Sequence, residues 1–229
     1  MTLSNVSIEP LARGAEANLY PARFLGRDAL VKRRHKKAYR HPALDTKLRA
    51  SRTILEARLL SRAAQAGVPV PLLLHADVPL HELIIAKLNG ELLSRALDPL
   101  APALQANAVA QCGTALARLH AAGIYHGDAT TSNFMLDSVT QAAGDAKATA
   151  KVWLIDFGLA GQSSSAEDFA MDVVLFKKSV SPALFKVFWA AYAKENLKLK
   201  AKPDAKRIHA TLDEIEQRGR YVVRSQAGG

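Results

Sequence analysis

An aspartate at position 128, an asparagine five residues later at 133, and a second aspartate at 156 that opens Asp156-Phe157-Gly158 constrain this chain more than any other feature. The first two lie in the run Tyr125-His126-Gly127-Asp128-Ala129-Thr130-Thr131-Ser132-Asn133. The third closes the apolar run Val152-Trp153-Leu154-Ile155, which reads as a strand. Phosphoryl transfer from a nucleoside triphosphate requires these parts. One carboxylate must orient the attacking hydroxyl or water or accept its proton, and two further oxygen ligands must hold Mg²⁺ against the β- and γ-phosphates. Asp128 suits the first role, Asn133 and Asp156 the second, and Gly158 lets the chain turn sharply after its ligand. Taken singly, each is an ordinary turn residue. The spacing, the strand before the tripeptide and the order make the combination specific.

The same chemistry needs a lysine for the α- and β-phosphates and a helical acid to pair with it. Lys32 follows Ala29-Leu30-Val31 on a predicted third strand, and Glu56 lies on the helix that follows. Lys36 and Lys37 fall in the polar segment beyond that strand and read as surface charges. Leu55 and Leu59 mark the inward side of the Glu56 helix; an ordinary surface acid is the competing reading of Glu56. Over the phosphates, protein kinases carry three glycines, whereas this chain has Arg13-Gly14-Ala15-Glu16-Ala17, with less backbone freedom. ATP and Mg²⁺ are therefore the expected ligands, with Gly14, Ala15, Glu16, Ala17 and Lys32 on the phosphates.

The pattern of elements is α+β. Strands are predicted at 7–11, 18–24 and 28–33, a helix over 48–66, and two more strands at 71–77 and 80–88. After Gly90 the texture becomes Ala/Leu-rich and helical, with helices over 102–122, 168–180, 182–196 and 203–218. The low-complexity segment 137–150 reads as a mobile surface loop. A small antiparallel sheet with one helix, followed by a larger helical lobe, divides the chain at 88/89, with a basic tail over 221–229. Of the 229 residues 49% are apolar and 23% charged, so the chain can bury a core and is not a disordered polymer. Cys112 is the only cysteine, which excludes an internal disulfide and a cysteine-rich zinc site.

The net charge of +10 is concentrated near the start: residues 1–60 hold +8 of it. Between Lys32 and Arg52 there are nine basic residues and Asp45 and no other acid. A phosphate-rich partner, tRNA among the options, would be met by Lys36, Lys37 and Arg40; a solvated face is the alternative. No apolar run is long enough to span a membrane and no leader-like pattern opens the chain, so the expectation is a soluble protein with no membrane partner. Its expected location is the cytoplasm, and also the nucleus if the source cell has one.

The stretches GAEA, YRHPALD, HGDxTTSN and IDFGL, with RGR near the end, resemble the PRPK family, the small atypical kinase subunit of the KEOPS complex. The resemblance runs from about Ile8 to Arg220. It implies a two-lobed protein-kinase-like fold and serine/threonine kinase or ATPase activity. It also implies support of N6-threonylcarbamoyladenosine formation on tRNA, alongside a threonylcarbamoyl-transferase subunit and other KEOPS subunits. Position by position it puts the catalytic carboxylate at Asp128, the ATP lysine and its partner at Lys32 and Glu56, and the metal ligands at Asn133 and Asp156. It further implies adenine at the hinge by Ala86 and Leu88, a brace for the catalytic loop at Asp172, and a tail whose Arg218 and Arg220 reach the partner. The helix is expected to end at Gly219, leaving either that ordered tail or a frayed one. Ala129 departs from the usual leucine, and Ile85-Ala86 from the usual hinge pair. No A-P-E follows the Asp-Phe-Gly, which weakens a reading as a dedicated peptide-phosphorylating enzyme. Two other readings stay open: a small-molecule phosphotransferase of the same fold, and an ATP-binding scaffold without turnover.

Overall fold

In the computed structural model, which describes residues 3–137 and 151–226, the upper lobe is an antiparallel sheet with one helix against it. Its strands are β1 (Leu3–Ser4), β2 (Ala12–Arg13), β3 (Ala17–Phe24), β4 (Arg27–Arg34), β5 (Leu73–Asp77) and β6 (Glu82–Ala86). They run in the order β1-β3-β4-β6-β5, with β2 added on β3. β3 and β4 form a hairpin whose two turn residues, Leu25 and Gly26, both have positive φ, 49° and 76°. That is the backbone that keeps the twist of paired strands continuous through a two-residue turn. One face of the sheet is closed by Ala22, Phe24, Ala29, Val31 and Ile84. The strand expected at 7–11 is absent: the segment bends past β3, touching it through Ser7 N–H to Pro21 O and Leu11 N–H to Leu19 O, both 2.8 Å. Pro10 has no N–H to extend the ladder, and Ile8 is 96% exposed.

Helix α1 (Pro42–Gln65) begins earlier than its leucine spacing indicates, because Pro42 occupies the first turn, where a missing N–H costs nothing. Leu59 and Ala63 are fully buried, whereas Leu55 is 38% exposed, so of the two leucines expected to mark the inward side only Leu59 does so.

The lower lobe starts with β7 (Gly90–Leu92) and α2 (Leu93–Ala96), followed by α3 (Pro102–Ala121) and β8 (Ile124–Tyr125). After a 3₁₀ turn at Thr131–Asn133 come β9 (Phe134–Asp137), β10 (Val152–Leu154), β11 (Gly161–Gln162), α4 (Ala166–Lys178), α5 (Pro182–Lys198) and α6 (Ala205–Gln226). β9 lies between β10 and β7, and β11 pairs with β8, so the two short sheets frame the loop that carries Asp128. Segment 138–150, most of the expected loop, lies outside the described residues. α3 and α5 pack so closely that a Cβ on Gly113 would stand 2.3 Å from the Phe188 carbonyl oxygen. Phe176 stacks on Phe188 with centroids 4.1 Å apart, and Tyr192 continues the aromatic column. α6 does not end at Gly219 as expected but continues to Gln226. One helical glycine costs about 1 kcal/mol, and no proline follows to stop the ladder.

Candidate active site

Two backbone features bring Lys32 and Asp156 together. β4 is paired on both sides, with Lys32 opposite Leu19 of β3 and Leu83 of β6, so the lysine leaves a fixed strand toward α1. Lys32 Nζ lies 2.5 Å from Glu56 Oε1 and 2.6 Å from Asp156 Oδ1. Burial alone would lower the lysine pKa, but the charges of Glu56 and Asp156 outweigh it and hold the ammonium above its usual range. Burial would likewise raise Asp156, yet Lys32, the Gly158 N–H and His126 together keep its carboxyl below the ordinary carboxylate value. Asp156 takes a left-handed backbone, φ 61°, directly after the strand, which turns its carboxylate back so that Oδ1 accepts from Gly158 N–H at 3.1 Å.

The catalytic loop is held from below. Asp172 on α4, 1% exposed, accepts from His126 N–H at 2.6 Å and Gly127 N–H at 2.8 Å. Its Oδ2 also lies 3.1 Å from His120 Nε2, and His120 Nδ1 is 2.7 Å from the Tyr192 hydroxyl. Burial and the Asp172 charge push the Tyr192 hydroxyl pKa well up, so it remains a protonated partner. The brace expected at Asp172 is therefore present. His120 and Tyr192, which complete it, were legible only as a histidine and a tyrosine on apolar helices. His126 lies 3.0 Å through Nε2 from Ile155 O, and its Nδ1 accepts from Asp128 N–H at 3.3 Å, so the imidazole ties the loop to the chain just before Asp156. Gly127 has φ 80°, and a Cβ there would meet Leu159 O at 2.5 Å; no larger residue fits between the two segments.

Asn133 donates through Nδ2 to Asp128 Oδ2 at 2.7 Å and to Asp128 O at 2.8 Å. That fixes the amide so that its Oδ1, an acceptor, faces away from Asp128. Asn133 Oδ1 and the Asp156 carboxylate are hard-oxygen donors of the kind Mg²⁺ takes together with phosphate oxygens and water. Among the described residues no cluster of three or more His, Cys, Asp or Glu forms an all-protein metal cage.

The residues expected over the phosphates form a tight turn. Gly14 N–H donates to Ala17 O at 3.0 Å, and a Cβ on Gly14 would stand 2.9 Å from that oxygen. Ala15 O is met by Lys37 Nζ and, at 3.0 Å, by His35 Nε2, while Glu16 pairs with Arg52 of α1 at 2.5 Å. Lys37 is thus not a bare surface charge; it clasps the loop. Arg40 is also engaged: its guanidinium lies 3.7 Å from Asp45, a fully buried acid that Arg49 holds at 2.7 Å. The missed signal was Asp45, the lone acid in the basic run. Lys36 remains exposed. At the hinge, Ala86 N–H donates to Leu72 O at 2.8 Å, so adenine cannot be read by that group, and Leu88 is half-buried beyond it. Arg218 is exposed, 3.3 Å from Glu167 and 3.5 Å from Glu214, and the side chain of Arg220 lies outside those described.

A two-lobed cleft with a strand lysine, a helix glutamate and an Asp/Asn/Asp set defines a protein-kinase-like phosphotransferase fold. The Rio2 kinase of Chaetomium thermophilum, solved as an ADP/Mg²⁺-phosphoaspartate complex, superposes with a TM-score of 0.61 at 16% identity, over 94% of this chain and 72% of that one. Residues 15–172 match the lipopolysaccharide kinase (Kdo/WaaP) family. The KEOPS complex subunit Bud32 of Pyrococcus abyssi is 35% identical over 94% of this chain and 97% of its own length. The probable bifunctional tRNA threonylcarbamoyladenosine biosynthesis protein of Methanothermobacter thermautotrophicus is 36% identical over 93% of this chain, which spans only 36% of that longer protein. The chain belongs to the Bud32/PRPK family of kinase subunits.

Proposed function

We propose that this chain is the ATP-dependent kinase and ATPase subunit of a KEOPS complex and supports N6-threonylcarbamoyladenosine modification of tRNA. The observation that carries the reading is the convergence of Lys32, Glu56, Asp128, Asn133 and Asp156 in one cleft of a chain that matches a Bud32 subunit over nearly its whole length. Lys32 engages the α- and β-phosphates of ATP, and Glu56 holds it in position. Asp128 orients the acceptor hydroxyl or water and takes its proton as the acceptor oxygen bonds to the γ-phosphorus and the bond to the bridging oxygen of ADP breaks. Asn133 and Asp156 are the residues that would hold Mg²⁺, which when bound neutralises charge on the β- and γ-phosphates.

The partners in this reading are a threonylcarbamoyl-transferase subunit, approached by the C-terminal residues from Arg218 onward, and tRNA, approached by Lys36 with its neighbours Lys37 and Arg40. The corresponding location is the cytoplasm, and the nucleus in a nucleated cell. No described helix is long and apolar enough to cross a membrane. A small-molecule phosphotransferase is the second reading, favoured by the lipopolysaccharide kinase match; that match stops at residue 172 and omits α5 and α6. Purified chain should release phosphate from Mg-ATP and should co-purify with a co-expressed threonylcarbamoyl-transferase subunit. Turnover without that association would favour the second reading, and association without turnover would favour a scaffold.

A further inference from the structure

Two residues beyond Lys32 on β4, Arg34 points to the same side of the sheet, as period-two alternation requires. Its guanidinium Nη2 pairs with Glu56 Oε2, while Lys32 Nζ holds Oε1 of the same carboxylate. Arg34 is 4% exposed and Glu56 is 5% exposed, so this is a buried pair. Arg34 is fixed independently by its backbone, whose N–H donates to His81 O at 3.1 Å. Its other terminal nitrogen, Nη1, is buried with no hydrogen-bond partner among the described groups. A fold seeking stability alone would gain little from such a guanidinium, because burying a charge with incomplete partners is expensive. A functional return is the better account of it.

We infer that Arg34 is a positioning residue for phosphoryl transfer: it anchors Glu56 from the side away from the nucleotide and offsets its charge, leaving that of Lys32 for the phosphates. The inference rests on the nucleotide-dependent reading above and deepens it. Lys32 faces two acids, Glu56 and Asp156, at nearly equal distances. Were Lys32 the only cation near them, the pair of carboxylates would overcompensate it and weaken its pull on a polyphosphate. With Arg34 included the four groups sum to zero, and Glu56 keeps its place when Asp156 turns to a metal or Lys32 shifts toward a phosphate. Arg34 makes no contact with Asp128 or Asn133 among the described hydrogen bonds and ion pairs, so its influence passes through Glu56 and Lys32.

The test uses full-length protein and Mg-ADP as the probe, with affinity by calorimetry and ATP turnover resolved into kcat and KM. Arg34→Met should weaken Mg-ADP binding about tenfold and raise the KM for ATP by a similar factor. Arg34→Lys, which keeps the charge and is the gentler change for folding, should recover part of both. In a Glu56→Gln background the Arg34→Met change should add little, since the two act as a unit. A purely structural Arg34 would instead lower the melting temperature and the active fraction while the surviving protein kept the wild-type KM and affinity. That result in either Arg34 variant, or full additivity with Glu56→Gln, overturns the inference while wild-type protein still binds Mg-ADP. Wild-type protein that neither binds Mg-ADP nor turns over ATP overturns the functional reading and this inference with it.

Discussion

Asp128 and Asp156 share one cleft but are held by different neighbours: Asp128 by the amide of Asn133, Asp156 by the ammonium of Lys32. Their substitution should separate accordingly. Asp156→Ala removes the carboxylate proposed to hold Mg²⁺ and should abolish Mg-dependent nucleotide binding, whereas Asp128→Asn should spare affinity and reduce turnover about a hundredfold or more. Nucleotide titration with parallel phosphate release reads both, and wild-type turnover in Asp128→Asn would remove Asp128 from its role. The Lys32–Asp156 pair also sets a pH window. Asp156 is depressed in the folded chain, so its contribution to stability is present above the ordinary carboxylate pKa of about 4 and fades as pH falls below it. Lys32 is raised, so its contribution holds below about 10 and fades as pH climbs through its folded value. Thermal denaturation across pH should show a plateau bounded on both sides, with Asp156→Asn losing the acid-side decline attributable to this group. These residues were legible because phosphoryl transfer allows few substitutes at fixed spacing. Arg34 was not, because nothing in a run of basic residues distinguishes a buried guanidinium from a solvated one until the partner carboxylate is placed.

At the scale of elements, α3 and α5 approach closely at Gly113. Gly113→Ala gains helix propensity but drives a methyl into the Phe188 carbonyl, and the clash should win. The expected loss is about 1 to 3 kcal/mol of stability, seen as a lower melting temperature, with Mg-ADP affinity of the folded protein retained. Long helices with a clear apolar period were readable to within a few residues, as at Pro102–Ala121 and Pro182–Lys198. The 7–11 segment misled because alternating side chains say nothing about whether Pro10 leaves a ladder to join. The end of α6 misled for the opposite reason: a lone glycine is a frequent stop signal, yet it stops a helix only when the chain beyond it has another place to go.

For the whole molecule, charge was the coarsest guide. The basic excess at the N-terminus looked like an open polyanion face, but Lys32, Arg34, Lys37, Arg40, Arg49 and Arg52 are each engaged with a carboxylate or a carbonyl. Composition counts charges without seeing which are already paired. The role proposed for the C-terminal end of α6 in assembly can be tested by truncation. Truncation after Gln217 removes Arg218, whose ion pairs are solvent-exposed and worth little. The shortened chain should melt within a few degrees of the full one and bind Mg-ADP as well. Reconstituted with the threonylcarbamoyl-transferase subunit, it should be markedly poorer in complex-dependent ATP turnover and tRNA modification; undiminished modification would detach the tail from that role.

Helix α1 belongs to both lobes. Glu56 serves the upper sheet, yet Leu59, Leu60 and Ala63, within two turns of it, are part of the lower lobe's core. α1 packs on β5 and β6 of the sheet while these three residues enter the apolar cluster that continues into the lower lobe, so it is a spine common to both lobes. Lys32 and Arg34 ride on the same face of the same strand and take different oxygens of the one Glu56 carboxylate. Glu56 is thus held as by a catch with two teeth, one of which keeps its grip while the other is free to turn toward the cleft.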